Sequence, residues 1–478
     1  MQTTESPGGR AWKNGASWGA GLLAWICAGA VVVTTAQAGE SGAGVWSGGG
    51  DVRWRDEYFD GAATLSTAAA MHGQNYLRLR TRAWAAWKPV DGVTMRVRAV
   101  AEPRYWTQTS AAKTFSGRTG LEEKYALLDE VVVEWAGKVG VGGDVLTVTL
   151  GRQDLKLGET GNAWLITEGT PGDGSWTAYF DAARAAVKSE RLKTTFDVVV
   201  IDQDSDPNDR LPTLGRSEAY PVTEQDEFGV IFYAANRSQA AARVDAFVIY
   251  KENRRVLANG NDSELTTPGI RVWGDAGKHW QYSAEAAWQF GEKRDPTVKN
   301  PVLAAMRRDV RAWGGNARVT WLARDARESR VSLIAEYLSG DDPATAGRDE
   351  MFDLLWGRCP RFSDIVATAF STENACTYQA ANLIRVGPEW SFAPTKTTGL
   401  TVGWQKLFAP EMTPTRTAKL AMFSREGHER GDFFRATWRQ RFSKSLSGLV
   451  TAEALKQEDF YARRDTLTFL RVELAVTF

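Results

Sequence analysis

Residues 469–478 read Phe-Leu-Arg-Val-Glu-Leu-Ala-Val-Thr-Phe. In an extended chain Leu470, Val472, Leu474, Val476 and Phe478 fall on one face, with Arg471, Glu473 and Thr477 on the other. A strand with one wholly apolar face and charges opposite is either half-buried in a soluble sandwich or lipid-facing in a barrel. The rest of the chain decides between them.

Upstream segments repeat the pattern. In Tyr76–Trp87, Arg78, Arg80 and Arg82 share one face while Leu77, Leu79, Ala83 and Trp87 share the other. Met95, Val97 and Ala99 oppose Arg96 and Arg98, after a turn Lys88-Pro89-Val90-Asp91-Gly92 with Pro and Gly where a tight connection wants them. Phe434, Ala436, Trp438 and Phe442 oppose Arg435, Arg439 and Arg441. Three arginines in step on one strand suit a water-filled lumen and not a sandwich core, because buried unpaired charge costs about 3–5 kcal/mol.

Connection lengths carry the second argument. Long connections are expected at 59–75, 107–123, 158–174, 202–225, 253–265, 291–310, 339–378 and 409–431. They alternate with short ones, among them 88–92, 189–191, 275–278, 323–329, 393–398 and 443–446. Short periplasmic turns alternating with long extracellular loops are the habit of transmembrane barrels. The fold expected is therefore all-β: a closed antiparallel transmembrane β-barrel of about eighteen strands, one domain over 39–478, its longest extracellular loop at 339–378. The chain's 20 Trp agree: Trp84, Trp87, Trp106, Trp135, Trp288, Trp321 and Trp438 are expected near strand ends, where interfacial girdles form.

Composition excludes other classes. Of 478 residues, 58 are Lys or Arg and 58 Asp or Glu, so no basic excess exists for nucleic-acid binding. Three His and three Cys, widely spread, assemble no zinc site of ordinary spacing. At the N-terminus, Arg10 and Lys13 precede an apolar stretch from Gly19 to Val33 and then Ala36-Gln37-Ala38, the layout of a cleaved secretory signal peptide over 1–38. Cleavage there removes Cys27 and leaves Cys359 and Cys376 as one possible pair, which fits an oxidising compartment.

No catalytic arrangement stands out. His72 and His428 fall in long loops and His279 at a short turn, with no paired base and orienting group. Asp202-Gln203-Asp204-Ser205-Asp206 and Gly340-Asp341-Asp342 have the composition of calcium loops without EF-hand spacing, and read as solvated polar loops. No enzyme activity, cofactor or metal is expected. The stronger constellation is the inward charge: Arg78, Arg80, Arg82, Arg96, Arg98, Arg104, Arg152, Arg435, Arg439, Arg441 and Arg471, with Glu102, Glu130, Glu134, Glu285, Glu336, Glu453 and Glu473. Two readings stay open. The acids and arginines pair across strands and keep a pore wet, or the arginines form a ladder that hands an anionic polymer from one guanidinium to the next.

Several motifs resemble the alginate export family of outer-membrane barrels. They are Gly151-Arg152-Gln153 before a loop holding Gly172-Asp173-Gly174, and Ala335-Glu336-Tyr337-Leu338-Ser339-Gly340-Asp341-Asp342-Pro343. Further matches are Trp356-Gly357-Arg358-x-Pro360-Arg361-Phe362-Ser363-Asp364, Asn382-Leu383-x-Arg385-Val386-Gly387-Pro388, and Phe469-Leu470-Arg471-Val472-Glu473-Leu474. The terminal Phe478 also resembles the assembly signal of such barrels. The resemblance spans essentially the whole mature chain. It implies an eighteen-stranded monomeric barrel in the outer membrane, among lipid and lipopolysaccharide, passing alginate or another polyuronate through a positively charged lumen, with periplasmic polymer-export proteins as possible partners. Arg152 alone among the lumen arginines sits in a matching motif. Cys359 stands where the family pattern leads one to expect an aromatic, and a loop disulfide to Cys376 follows as an expectation. The alternatives are a nutrient-uptake porin for small or anionic oligosaccharides, a barrel-embedded hydrolase, and a structural barrel plugged by 339–378.

Overall fold

The computed structural model describes residues 44–112, 119–122, 126–140, 142–155, 157, 179–214, 221–357, 362–375, 380–417 and 419–478. The expected signal peptide, Gly172-Asp173-Gly174, Cys359 and Cys376 lie outside the described residues. Eighteen strands among the described residues close into an antiparallel barrel. In chain order they are β1 (Val45–Asp60), β2 (Gly73–Lys88), β3 (Val93–Ala101 continuing as Arg104–Gln108), β4 (Gly120–Glu122 and Ala126–Val139), β5 (Asp144–Gln153) and β6 (Phe180–Ser189). Next come β7 (Thr194–Gln203), β8 (Gln225–Asn236), β9 (Arg243–Arg255), β10 (Asp262–Ala276), β11 (Trp280–Arg294) and β12 (Arg308–Leu322). The last six are β13 (Arg330–Leu338), β14 (Leu383–Thr395), β15 (Thr398–Phe408), β16 (Glu429–Arg441), β17 (Leu446–Gln457) and β18 (Thr466–Thr477).

Each strand pairs with its sequence neighbour, and β1 pairs with both β2 and β18, which closes the ring. Closure leaves no strand of the ring without a neighbour on either side, the condition for crossing lipid with strands. The seam runs from Asp51 opposite Thr477 to Asp60 opposite Thr468. Below it Gly50 and Phe478 exchange backbone hydrogen bonds of 2.9 and 3.0 Å. A Cβ on Gly50 would lie 2.6 Å from the Arg82 carbonyl and 2.8 Å from the Phe478 ring, so only glycine lets the C-terminal aromatic close there.

The alternation read in 469–478 is the barrel's two faces. Leu470, Val472, Leu474 and Val476 are exposed to the surroundings, while Arg471 is buried inside. The same exposed apolar row continues through Leu79, Val97, Val133, Leu150, Phe232, Ile270, Leu333 and Phe434. Short turns alternate with longer loops, except that the connection expected at 253–265 shrinks to 256–261 because β9 and β10 extend into it; the N-terminal ends of odd strands mark the short-turn rim. Proline explains the one internal break in β3: Pro103 has no N–H for the ladder, and its carbonyl still accepts from Leu79 at 3.2 Å.

Two tryptophans correct the girdle expectation. Trp106 is 5% exposed, tilted against Tyr76, and donates to Glu122 at 2.7 Å. Trp84 sits opposite Gly49 on the row of Arg82. Both lie an even number of residues from an inward arginine, Arg104 and Arg82, so strand alternation turns them inward. Trp135, Trp288, Trp321 and Trp438 are exposed on the outer face, and Trp87 stacks on the exposed Trp46 at 5.6 Å.

Candidate functional site

The inner face of β18, β1, β2 and β3 forms a continuous basic wall. Register places Arg471, Arg53, Arg55, Arg78, Arg80, Arg82, Arg96, Arg98 and Arg104 there, against Glu473, Asp51, Glu57 and Glu102. Seven of these arginines were legible by alternation. Arg53 and Arg55 were missed, although Arg53-Trp54-Arg55 carries the same signal.

Glu57 is the hub. It is 1% exposed and accepts from Arg78 at 2.8 Å and from Arg471 at 2.7 Å, with Arg55 at 3.8 Å. Arg78 also donates to Glu102 at 2.6 Å, and Arg55 pairs with Glu473. Nearer the short turns, Arg80 and Arg82 share Asp51 at 2.9 and 2.6 Å. Arg98 reaches Asp129 at 2.9 Å and Asp154 at 3.1 Å, and Arg104 lies over the Tyr76 ring. Arg96 meets Glu130 at 3.2 Å with its side chain 47% exposed, so it presents a fork to water.

The remaining expected arginines are placed differently. Arg152 is buried, forked onto Asp181 at 2.9 and 3.1 Å, and stacked on Tyr179 at 3.7 Å; that leaves it no access to a passing molecule. Arg435 pairs with Glu453 at 3.4 Å and donates to the Phe362 carbonyl at 2.8 Å. Arg439 and Arg441 are exposed near the short-turn rim. Cross-strand pairing is therefore the rule, with exposed forks confined to a few positions.

The loop between β13 and β14 enters the barrel. Arg348–Asp349 adds a short parallel pairing to β12, and Phe352, Leu354, Leu355 and Trp356 pack on the inner faces of the β6–β12 wall. Trp356 donates to Glu227 at 2.9 Å, and a Cβ on Gly229 would lie 2.2 Å from its ring, so glycine makes the recess that receives it. Gln289 donates to the Asp353 carbonyl and accepts from the Asp353 N–H, both at 2.7 Å. The opposite wall holds helix α1 (Asp364–Glu373), whose Ile365, Val366 and Phe370 are buried. Ser363 caps it, accepting from Val366 N at 3.0 Å. Glu453 of β17 accepts from Ser363 Oγ and the Asp364 N–H, both at 2.9 Å, and Arg471 donates to Asp364 at 2.6 Å. Arg430 forks onto Glu373 at 2.6 and 2.7 Å at the other end. The plug is thus latched to both walls.

Other candidate chemistry is occupied by structure. His72 meets Asp60, while His279 and His428 contact the carbonyls of Leu322 and Ala409 at 2.8 and 2.7 Å, at three separate places. Arg210 neutralises Asp202 and Asp204 at 2.9 and 2.6 Å, and Asp341 is held by Arg308 at 3.2 Å and Arg416 at 3.3 Å. Glu429, Asp432 and Glu458 converge closely enough for a cation, but Lys406 already pairs with the first two.

Residues 46–408 match the family model described as alginate export. The chain belongs to the alginate export family. No curated protein matches this family member in sequence. Among solved structures it is similar to OccAB1 of Acinetobacter baumannii, with TM-score 0.57 and 10% identity over 92% of this chain and 99% of that one. It is also similar to OccK9 (OpdG) of Pseudomonas aeruginosa, with TM-score 0.53 and 11% identity over 90% and 98% of the two chains. At these identities the likeness speaks to fold alone. Family and fold together support an outer-membrane channel of porin-like architecture, and suggest a channel more than an enzyme.

Proposed function

We propose that this alginate export family member passes an anionic polysaccharide, alginate or another polyuronate, outward through the outer membrane. The observation that carries the reading is the wall of nine inward arginines on β18 to β3, tempered by Glu473, Asp51, Glu57 and Glu102 of the same strands and by Asp129, Glu130, Asp154 and Asp364 beside them. Guanidinium forks match carboxylates bidentately. Carboxylates already on the wall temper each site, so a polymer carboxylate exchanges from one to the next, as conduction requires. Charge is also polarised along the axis. The eight short turns carry Arg191, Lys193, Arg237, Lys278, Arg324, Arg327, Lys396 and Lys444 against Asp91, Glu190, Asp325 and Glu328. A basic rim on the periplasmic side raises the local concentration of a polyanion arriving from within.

A second reading, uptake of small anionic oligosaccharides, is favoured by the plug, which narrows the extracellular half. Liposome swelling with oligouronates of increasing length separates the two. The exporter admits long oligouronates over neutral glucans of equal size, and Arg82→Gln with Arg96→Gln removes that preference. Entry of short oligomers alone, whatever their charge, overturns it.

A further inference from the structure

A second basic feature lies across the lumen, at the short-turn ends of β8 to β10. Trp273 faces inward there, in register with Arg243 on one side and Ser283 on the other. Three guanidinium groups surround its indole: Arg243 at 4.4 Å, Arg237 at 5.0 Å and Arg271 at 5.2 Å from the ring. The acids that balance them are unevenly placed. Asp245 is fully buried and takes Arg237 and Arg271 from beneath, with Glu285 also buried beside Arg271 in the register. Asp275 alone is open, 3.3 Å from Arg243. Arg237 and Arg243 keep 29% and 26% of their side chains exposed, so cations face the water and most of the acids sit below. The Trp273 Nε1–H is shielded and has no acceptor. A buried donor without a partner is costly, and marks a place where an acceptor is wanted.

We propose that Trp273, Arg237 and Arg243 form a carboxylate-docking subsite at the periplasmic mouth, taking the uronate groups of an anionic polysaccharide as it enters. The inference rests on the reading of the protein as a polyuronate channel. Trp273 is a positioning residue: its π face holds the guanidinium groups in fixed orientation, so their N–H edges are preorganised for a bidentate carboxylate. Arg318, paired to Glu389 at 3.0 Å with 39% of its side chain exposed, continues the cationic surface toward β12. Sequence alternation alone gave no pointer here, because Arg237 belongs to a turn and the cluster draws on three strands and a loop.

The test is single-channel recording on the full chain inserted in one orientation, with a short oligouronate added to one side at a time. Wild-type channels are expected to show more frequent block from the short-turn side. Arg237→Gln with Arg243→Gln lowers that frequency by about tenfold, the lower end of electrostatic steering, and leaves block from the loop side unchanged. R243K keeps the charge but loses the fork, so frequency persists while each block shortens. If the wild type is blocked from the short-turn side and the double variant is blocked equally often, the subsite is wrong and the channel reading stands. If the oligouronate blocks from neither side, the channel reading fails and the subsite with it.

Discussion

At the scale of single residues, the inner wall separates arginines that hold the barrel from those that meet its contents. Arg78 satisfies two buried carboxylates, Glu57 and Glu102. Arg78→Ala takes a hydrogen-bonded partner from each, leaving Glu57 to Arg471 and Glu102 to Arg53 at 3.6 Å, and a loss of about 1.5–3 kcal/mol is expected, read as a lower unfolding midpoint in detergent. Arg96→Gln breaks a half-exposed pair and is expected to cost under about 1 kcal/mol. Equal destabilisation by the two would contradict the division. Alternation made the inward face of Arg78, Arg80 and Arg82 legible; their partners were not, because Glu57 and Asp51 meet them through the β1–β2 register, which alternation alone does not set. The long loops have their own residue-scale lock, in which Arg416 joins Asp295 at 2.8 Å, Asp341 at 3.3 Å and Asp349. Burial alone would raise the Asp295 carboxyl, but the charges of Arg416 and Lys293 outweigh it and hold it well below the usual range. Asp349 is lowered by the same balance, with Arg308 added. A depressed folded value gives stability that is present above the unfolded pKa of about 3.9 and lost only as pH falls below it. Protease nicking of the 409–428 loop is therefore expected to stay constant down to about pH 4 and rise below. Nicking that begins near pH 6 would contradict this lock.

Elements taught a different lesson. The strands declared themselves by two-residue alternation, and most of the uneven loop lengths were readable, the connection between β9 and β10 excepted. Helix α1 did not: Ile365, Val366, Ala367, Ala369 and Phe370 are buried between the wall and the loops, so no polar stripe marks a helical period. Only Ser363 at its start was a usable sign, as an N-cap residue. The plug's place inside the lumen was likewise open from sequence, since loop length does not say which way a loop folds. Ser363→Ala removes the cap and one bond to Glu453, and about 1 kcal/mol of local stability with it; hydrogen exchange of 364–373 should quicken while the strands stay protected. Replacing 350–375 by a short Gly-Ser linker should raise open-channel conductance several-fold. Unchanged conductance would mean that the loop does not limit the pore.

For the whole molecule, the unifying feature is polarity. The outer face is apolar, the inner wall from β18 to β3 is rich in arginine, and the short-turn rim carries a basic excess although the chain is neutral. Outer-face and inner-face residues follow from strand period. The uneven distribution of arginine around the circumference required the register, because β1 and β18 meet only on closure. What matters for transport is whether this polarity recognises a polyanion. The most direct measurement is single-channel conductance of the mature chain in a planar bilayer, with polyuronate and then a neutral glucan of the same length. Anion selectivity, with block by the polyuronate alone, is the predicted result. An open pore equally indifferent to both polymers would contradict it.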